Sequence, residues 1–259
     1  GTDGSFFAGG YGGGFILEWD PAREWVDTKI GNEESNPRFL HQAKPDINRP
    51  HDLLAHPNGR DVILAGTPGY GLTGGGLLFW DRETKKATIR KHTSLIEWHS
   101  TKSLLPLPNG KILFCSTASL NSVPCVGGND FVGTLFEINP DGTGMRQLCF
   151  DQDHNWYPSV TNDGRVLFTR WEYSDTPHVF TRVVMTMNPD GTNQTHHYGS
   201  NSYWPTATHN PKQIPGKPSQ FVGIVSGHHG MRPGPMVLFD VAVGRHEADG
   251  AVQIIGKRG

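Results

Sequence analysis

Residues Leu107–Phe114 read LPNGKILF, a turn signal followed at once by an apolar run. The same order recurs at His56–Leu64, which reads HPNGRDVIL, and at Thr161–Phe168, which reads TNDGRVLF. Asn-Gly and Asp-Gly tolerate the left-handed backbone at both centres of a type I′ turn, so each copy predicts a tight β-hairpin. Copies in one order along the chain indicate an internal repeat.

A second turn signature follows at a later phase of the repeat. It is INPDGT at Ile138–Thr143 and MNPDGT at Met187–Thr192. Together the signatures describe four short strands in a period of about 45–50 residues, which is typical of a β-propeller blade. A β-sandwich or barrel also has many short strands but does not need the same turn at the same phase.

We therefore predict an all-β fold: a single propeller domain over residues 1–259, built from four-stranded antiparallel blades. Five repeats are visible, and five to seven blades are compatible with them. The blade-like units are placed near 1–45, 50–95, 99–150, 154–198 and 203–257. Helix signals are nearly absent, and the best helix candidate is Arg38–Ala43.

The composition excludes several classes of protein. The chain has 33 Gly, 19 Pro and only 19% charged residues, unlike a coiled coil, and its 10% aromatic residues argue against disorder. The net charge of −2 and the lack of a Lys/Arg stripe give no reason to expect a nucleic-acid partner. No apolar run approaches the roughly 18 residues of a membrane span.

Two glycine-rich stretches, Gly9–Gly14 and Gly66–Gly76, look at first like phosphate loops. A phosphate loop leads into a helix whose N-terminus faces the anion. Here an apolar strand pattern follows each stretch instead. We therefore interpret the glycines as positions where backbones approach closely inside the fold.

The fourth unit is the most polar and contains candidate binding residues. Alternation along a strand places Arg170 and Glu172 on one face and Trp171 on the other. This arrangement fits a floor that holds a substrate, and it equally fits a salt bridge between blades. The candidate ligand-binding residues are His154, Trp156, Arg170, Glu172 and His229.

Dispersed His and Cys residues suggest a metal site, with zinc or another divalent cation as the expected ion. The candidate metal ligands are Cys115, Cys125, His228 and His246. The chain has no Cys-x-x-Cys and no His-Glu-x-x-His, so any ligands come from several blades. Cys115 and Cys125 also bracket a loop that a disulfide could close, and both readings stay open.

Nine stretches carry a resemblance to a known family: Lys111–Thr117, Ser122–Cys125, Asp151–His154, Asn162–Leu167, Arg170–Tyr173, Met187–Thr192, Tyr198–Pro205, Gly227–His229 and Gly244–Gly250. Through them, residues from about Leu104 to Gly256 resemble the propeller (middle) domain of the hydrazine synthase alpha subunit family and its planctomycete-type relatives. Residues 1–100 resemble a different propeller lineage.

The resemblance implies a bacterial propeller outside the cytoplasm, periplasmic or secreted, beside other subunits or domains of a larger complex. It also implies that a propeller cysteine helps hold a zinc ion, and Cys115 or Cys125 is the matching candidate. The family's covalently attached haem needs Cys-x-x-Cys-His, which this sequence lacks. Hydrazine synthesis by this chain alone is therefore not expected.

Three functions compete. The favoured hypothesis is a scaffold that binds a ligand, a metal or a partner, with carbohydrate among the candidate ligands. The alternative is a propeller-type polysaccharide lyase that cleaves uronate-containing glycans by β-elimination. Under that alternative the catalytic residues are Arg170, Tyr173, His178 and His228, with a His or Tyr as general base. The third hypothesis is a structural propeller without a site.

Overall fold

The computed structural model describes residues 1–95, 97–123, 131–172, 181–200, 202–227 and 234–255. Regular structure in these residues consists of nineteen strands and one four-residue helix, α1 (His92–Leu95), which confirms the all-β prediction. In this described part of the chain, no helix has the length and apolar character needed to cross a membrane.

The strands follow one another in short steps along the chain. They are β1 (Phe6–Gly10), β2 (Phe15–Trp19), β3 (Arg38–Gln42), β4 (Arg49–Ala55), β5 (Asp61–Thr67), β6 (Gly76–Asp81), β7 (Lys86–Lys91), β8 (Thr101–Pro106), β9 (Ile112–Ser116), β10 (Thr134–Ile138), β11 (Arg146–Gln147), β12 (Asn155–Val160), β13 (Val166–Trp171), β14 (Arg182–Met187), β15 (Thr195–Tyr198), β16 (Ala207–Gln213), β17 (Gln220–Ser226), β18 (Met236–Asp240) and β19 (Ala251–Ile255).

The strands form four sheets. Three of them have the orders β1-β2-β3, β4-β5-β6-β7 and β8-β9-β10-β11. The fourth has eight strands: β12-β13-β14 with β15 on β14, then β16-β17-β18-β19. Its two halves are antiparallel meanders that meet in one parallel pair, Arg182 with Ala207.

The chain divides into two compact units. The first is Gly1–Pro106, Gly110–Ala118 and Phe136–Arg146, and the second is Leu107–Asn109, Ser119–Leu135 and Gln147–Gly259. The number of blades and the single propeller domain stay predictions.

The sheet β4–β7 of the first unit is buried on both faces. Along β5, Val62 and Leu64 pack in a cluster with Ile16 and Trp80, while the alternate residues face a second cluster around Phe114. Successive strand side chains point to opposite faces, so a sheet covered on both sides needs an unbroken apolar run. This explains why β5 reads DVILAGT rather than alternating with polar residues.

The hairpins form, but the predicted type I′ turn is wrong. The glycines of the three turns have φ values of +74°, +81° and +82°, whereas their Asn or Asp neighbours are not among the described residues with positive φ. In the first turn the Gly59 N–H donates to the His56 carbonyl, and the Asn58 carboxamide oxygen accepts from the Arg60 N–H at 3.0 Å. Because the Asn side chain braces the turn, only the glycine needs the left-handed region.

The two NPDGT turns are held by equivalent hydrogen bonds. The Gly142 N–H donates to the Asn139 carbonyl at 2.9 Å, and the Gly191 N–H donates to the Asn188 carbonyl at the same distance. In each copy the Asp side chain also accepts the N–H of the following Thr, at 2.9 and 3.0 Å. The repeated sequence therefore marks one repeated local structure.

The helix candidate at Arg38–Ala43 is wrong, because residues Arg38–Gln42 form β3. This strand pairs antiparallel with β2, and Phe39 lies opposite Leu17. Pairing with a buried neighbouring strand outweighs the weak helical preference of a six-residue segment.

Strands β4, β8, β12 and β16 each contain a β-bulge near their start. In β12 and β16 the bulge includes a non-glycine residue with left-handed backbone, Tyr157 (φ +53°) and Asn210 (φ +55°). Bulges bend a strand and redirect its side chains. The two bulged strands are joined by the Ser159 hydroxyl, which donates to the Pro211 carbonyl at 2.8 Å.

Candidate functional site

The candidate site lies at one end of the sheet of the second unit. At this end β12 begins at Asn155, β13 ends at Trp171 and β14 begins at Arg182. Neighbouring antiparallel strands run in opposite directions, so these three ends lie side by side. His154, the residue before β12, lies at the same edge, and its carbonyl accepts the Trp171 N–H at 2.9 Å.

Three rings and one cation form what we call the aromatic platform: His154, Trp156, Trp171 and Arg182. The His154 ring centroid is 4.4 Å from that of Trp156 and 5.6 Å from that of Trp171. The two indoles are within 13° of parallel. The Arg182 guanidinium carbon lies 5.7 and 5.2 Å from the two indole centroids, which is the range of cation–π attraction.

Burial differs across the platform. Trp171 is 4% exposed and packs with the buried Val123 and Val132. Trp156 is only partly buried and lies against this cluster. The platform therefore has an anchored base in Trp171 and a more accessible ring in Trp156.

His154 is neutral at pH 7. Burial, together with the nearby Arg182 charge, lowers the pKa of His154 to about 4. Its Nδ1 accepts the Gly133 N–H at 2.8 Å. A neutral imidazole that accepts at Nδ1 carries its proton on Nε2, so His154 offers a donor at Nε2 rather than a base.

Arg170 has protein partners for its guanidinium. Nη2 lies 2.7 Å from an Asp151 carboxylate oxygen and also donates to the Gln194 side chain. Nε donates to the Asn155 carboxamide oxygen at 3.1 Å. These contacts connect β13 to Asp151 before β12, to the first residue of β12 and to Gln194 between β14 and β15.

Glu172 directly follows β13 and pairs with His196, whose Nε2 is 3.1 Å from Oε1. This hydrogen bond lowers the pKa of the Glu172 carboxyl, so the group is ionised at neutral pH. Both side chains remain partly exposed.

Two further residues join this region through the second bulged strand. The Tyr157 ring meets the His209 ring edge-on at 5.8 Å, and His209 Nε2 is 2.9 Å from the Ser226 hydroxyl. Sequence reasoning missed this pair. The sequence signal that could have indicated the two matching bulges is a proline at the same position of each bulge, Pro158 and Pro211.

Only two of the four predicted metal ligands, Cys115 and His246, lie among the described residues. Cys115 lies half-buried in β9, with its N–H 3.4 Å from the Ser103 hydroxyl. His246 is exposed in the second unit, where its Nδ1 is 2.8 Å from the Ser202 hydroxyl. Within the described ranges no three His, Cys, Asp or Glu residues are grouped to hold a metal ion. The zinc site stays a prediction.

Several predicted site residues lie outside the described residues. They are Tyr173 and His178 of the lyase alternative, His228 of both the lyase and the metal sets, the ligand candidate His229, and the metal candidate Cys125.

The first unit contains a charged cleft of about 590 Å³. Both carboxylate oxygens of Glu18 form ion pairs in this cleft. One oxygen contacts the Arg38 guanidinium at 2.5 Å and the other contacts the Arg82 guanidinium at 2.8 Å. Arg82 also contacts Asp3 at 2.6 Å. These charges neutralise one another, so the cleft is better explained as a structural ion-pair network than as a site for a charged ligand.

Comparison with known proteins gives structural likeness only. No protein-family model and no curated protein matches this sequence. Hydrazine synthase of Kuenenia stuttgartiensis aligns over 95% of this chain with a TM-score of 0.64 and 14% identity. The chain spans 36% of the length of that protein.

Two other solved structures are similar. The protein described as TolB of Agrobacterium tumefaciens aligns over 94% of this chain and 76% of its own, with a TM-score of 0.56 and 13% identity. Oligogalacturonate lyase of Vibrio parahaemolyticus aligns over 93% of this chain and 64% of its own, with a TM-score of 0.52 and 13% identity. Because these proteins are of propeller type, the likenesses show that this chain has a propeller-like fold.

Proposed function

We propose that this chain is a propeller-type binding scaffold whose ligand lies on the aromatic platform of the second unit. The observation that carries the proposal is the partly exposed Trp156 ring stacked on a neutral imidazole. Trp171 is buried in the cluster against which Trp156 packs, and it holds the rings in place.

The proposed ligand is a carbohydrate. Indole faces carry partial negative charge and attract the C–H groups of a sugar ring. The Nε2–H of His154 and the ionised Glu172 supply a hydrogen-bond donor and an acceptor at the same end of the sheet. Apolar rings with a few fixed polar groups are the usual composition of a small-molecule site.

The described residues favour binding over catalysis. A uronate lyase needs a cation for the substrate carboxylate and a base for the proton on carbon. Arg170 is already bonded to Asp151, Asn155 and Gln194, and His154 lacks a free basic nitrogen at Nδ1. The lyase alternative depends on residues outside the described ranges and stays a prediction.

The location outside the cytoplasm, partner subunits and a bound zinc ion are part of the same proposal. They are supported by the sequence resemblance stated above. A scaffold that holds a glycan needs no metal at the aromatic platform, so a zinc ion would belong to a separate site.

The test is a titration of the purified protein with neutral and acidic oligosaccharides, followed by tryptophan fluorescence and calorimetry. Trp156→Ala should weaken binding at least tenfold. Trp98→Ala is the matched control, because Trp98 is 61% exposed and belongs to the first unit. Binding that is unchanged in Trp156→Ala, or absent for all glycans, would reject the proposal.

The same samples test the alternative. Absorbance near 235 nm reports the unsaturated product of β-elimination on polygalacturonate. A signal that grows with time would establish a lyase in place of a simple scaffold.

A further inference from the structure

Arg49 opens β4 in the first unit and lies against Tyr70. Its guanidinium carbon is 3.6 Å from the centroid of the tyrosine ring. Tyr70 is 83% exposed, so the pair lies at the surface. At the end of β5, Thr67 pairs with Arg49 across the sheet.

Two nitrogen atoms of the Arg49 guanidinium have no hydrogen-bond acceptor among the described residues. Its Nε and Nη2 are shielded from solvent, and no described residue accepts a hydrogen bond from either atom. Buried N–H groups in proteins are nearly always paired, and a charged one is more costly to leave unpaired than a neutral one. Arg49 therefore differs from Arg38 and Arg82, which contact carboxylates at 2.5–3.0 Å.

The acidic residues nearest in the chain have other partners. Asp46 contacts the Lys91 ammonium at 3.2 Å. Asp52 accepts the Leu104 N–H at 2.7 Å. Polar side chains beside Arg49 include Thr67 and the exposed His51, whose Nε2 is 3.2 Å from the Thr67 hydroxyl. The surroundings thus combine the Arg49 cation with a hydroxyl and an imidazole.

We propose that Arg49 and Tyr70 form a binding site for the oxyanion of a small acidic ligand, a carboxylate or a phosphate. A planar guanidinium matches the two oxygens of either group, and the stacked ring holds its plane. Because Nε and Nη2 are shielded from solvent in the ligand-free chain, an oxyanion reaches them only when neighbouring side chains move aside. It would then supply acceptors that the described residues do not. The site belongs to the first unit and is independent of the carbohydrate site proposed for the second.

The test is an NMR titration of the whole chain with succinate and, separately, with inorganic phosphate at constant ionic strength. The Arg49 Nε–H signal, identified by its loss in Arg49→Gln, should shift with saturation. Succinate alone would assign a carboxylate ligand, and phosphate alone a phosphate. Arg49→Gln should weaken binding at least tenfold.

Arg60→Gln is the matched control, because Arg60 already contacts Asp81 at 2.5 Å and should bind as the unmodified chain does. Arg49→Lys keeps the charge but loses the planar fork, and at least fivefold weaker binding is expected. This variant also keeps the test decisive if Arg49→Gln does not fold. No shift with either anion, or equal binding in Arg49→Lys and the unmodified chain, would overturn the proposal.

Discussion

The imidazole of His154 stacks on the indole of Trp156, with ring centroids 4.4 Å apart and planes within 25°. Because the two residues are separated by Asn155 alone, the contact depends on how the chain enters β12. The bulge between Trp156 and Ser159 and the left-handed Tyr157 alter the strand directly after the indole. A local backbone irregularity therefore accompanies a ring of the platform that is only partly buried.

Removing the buried indole should cost more stability than removing the accessible one. Trp171→Ala should lower the free energy of unfolding by about 3–5 kcal/mol, because it leaves a cavity under the platform. Trp156→Ala should cost clearly less, since this ring already contacts water. Urea denaturation at pH 7 measures both, and a larger loss in Trp156→Ala would contradict the proposed anchoring role of Trp171.

Stability should fall as the pH drops from about 6.5 to about 4. Burial lowers the pKa of His99, like that of His154, to about 4, against about 6.5 in an unfolded chain. The unfolded state then binds more protons in this window, so acid favours unfolding, and above pH 7 these groups have no effect. His99 should contribute about 2–3 kcal/mol to the change.

Denaturation of His99→Gln between pH 7 and pH 4.5 checks this expectation. The glutamine can keep hydrogen bonds with Ser116 and Thr101, the partners of the imidazole. The exposed His246→Gln serves as the control. A pH dependence as steep in His99→Gln as in the unmodified chain would show that another group is responsible.

Among the carboxylates of the charged cleft, Glu18 should be the one whose substitution lowers the stability most. Its side chain is 10% exposed and contacts both Arg38 and Arg82. Glu18→Gln should lower the free energy of unfolding by about 1–3 kcal/mol, because it leaves two partly buried cations with a weaker acceptor. Glu33→Gln, at a side chain that is 70% exposed, should have no measurable effect. Equal effects in both variants would argue against the network.

Two glycines should respond differently to substitution. A Cβ on Gly66 would lie 2.4 Å from the Arg49 carbonyl oxygen, so Gly66→Ala should cost about 3 kcal/mol or more. Gly110 has φ +81° and open space around it, so Gly110→Ala should cost only about 1–2 kcal/mol of backbone strain.

Asparagine separates the two causes. Gly110→Asn should recover part of the loss at that turn, because Asn tolerates the left-handed region. Gly66→Asn should be worse than Gly66→Ala, since it adds volume where none is available. Thermal unfolding monitored by circular dichroism distinguishes these orders, and the opposite order at either position would refute its assigned cause.

The main effect of replacing Arg170 should be a loss of stability, because its guanidinium is bonded to other residues of the chain. Its side chain is 12% exposed, and Arg170→Gln should lower the free energy of unfolding by about 2–4 kcal/mol, since it leaves Asp151 without its cation. The exposed Arg245→Gln is the matched control. Unchanged stability in Arg170→Gln would reopen a direct role for this residue toward substrate. Any activity measured for an Arg170 variant has to be compared at equal folded fraction.

Turn chemistry made much of the fold predictable. The Asn-Gly, Asp-Gly and NPDGT signals act over a few residues, and each gives a hairpin or a tight turn in the structure. The exact turn type was not predictable from dipeptides, because the Asn58 side chain competes for the same backbone N–H groups. The segment at Arg38 became a strand through pairing with β2, a partner about twenty residues earlier along the chain.

The sequence named candidate residues for the site but not their arrangement, and their role in binding stays a prediction. His154, Trp156, Arg170 and Glu172 were named from their polar and aromatic surroundings, and the structure places all four at one end of the second unit's sheet. Sequence could not say that Arg170 would be bonded to Gln194, or that Arg182 would lie over two indoles.

The amino-acid order alone determined the all-β class, the repeat and the positions of its turns, because these depend on local backbone preferences at the turns and on the short apolar runs between them. Tertiary structure decided which rings stack and which arginines contact carboxylates. It also left Nε and Nη2 of Arg49 without a hydrogen-bond acceptor among the described residues. Many of these contacts join residues far apart in the chain, and their geometry depends on strand register and bulges that no short window of sequence specifies.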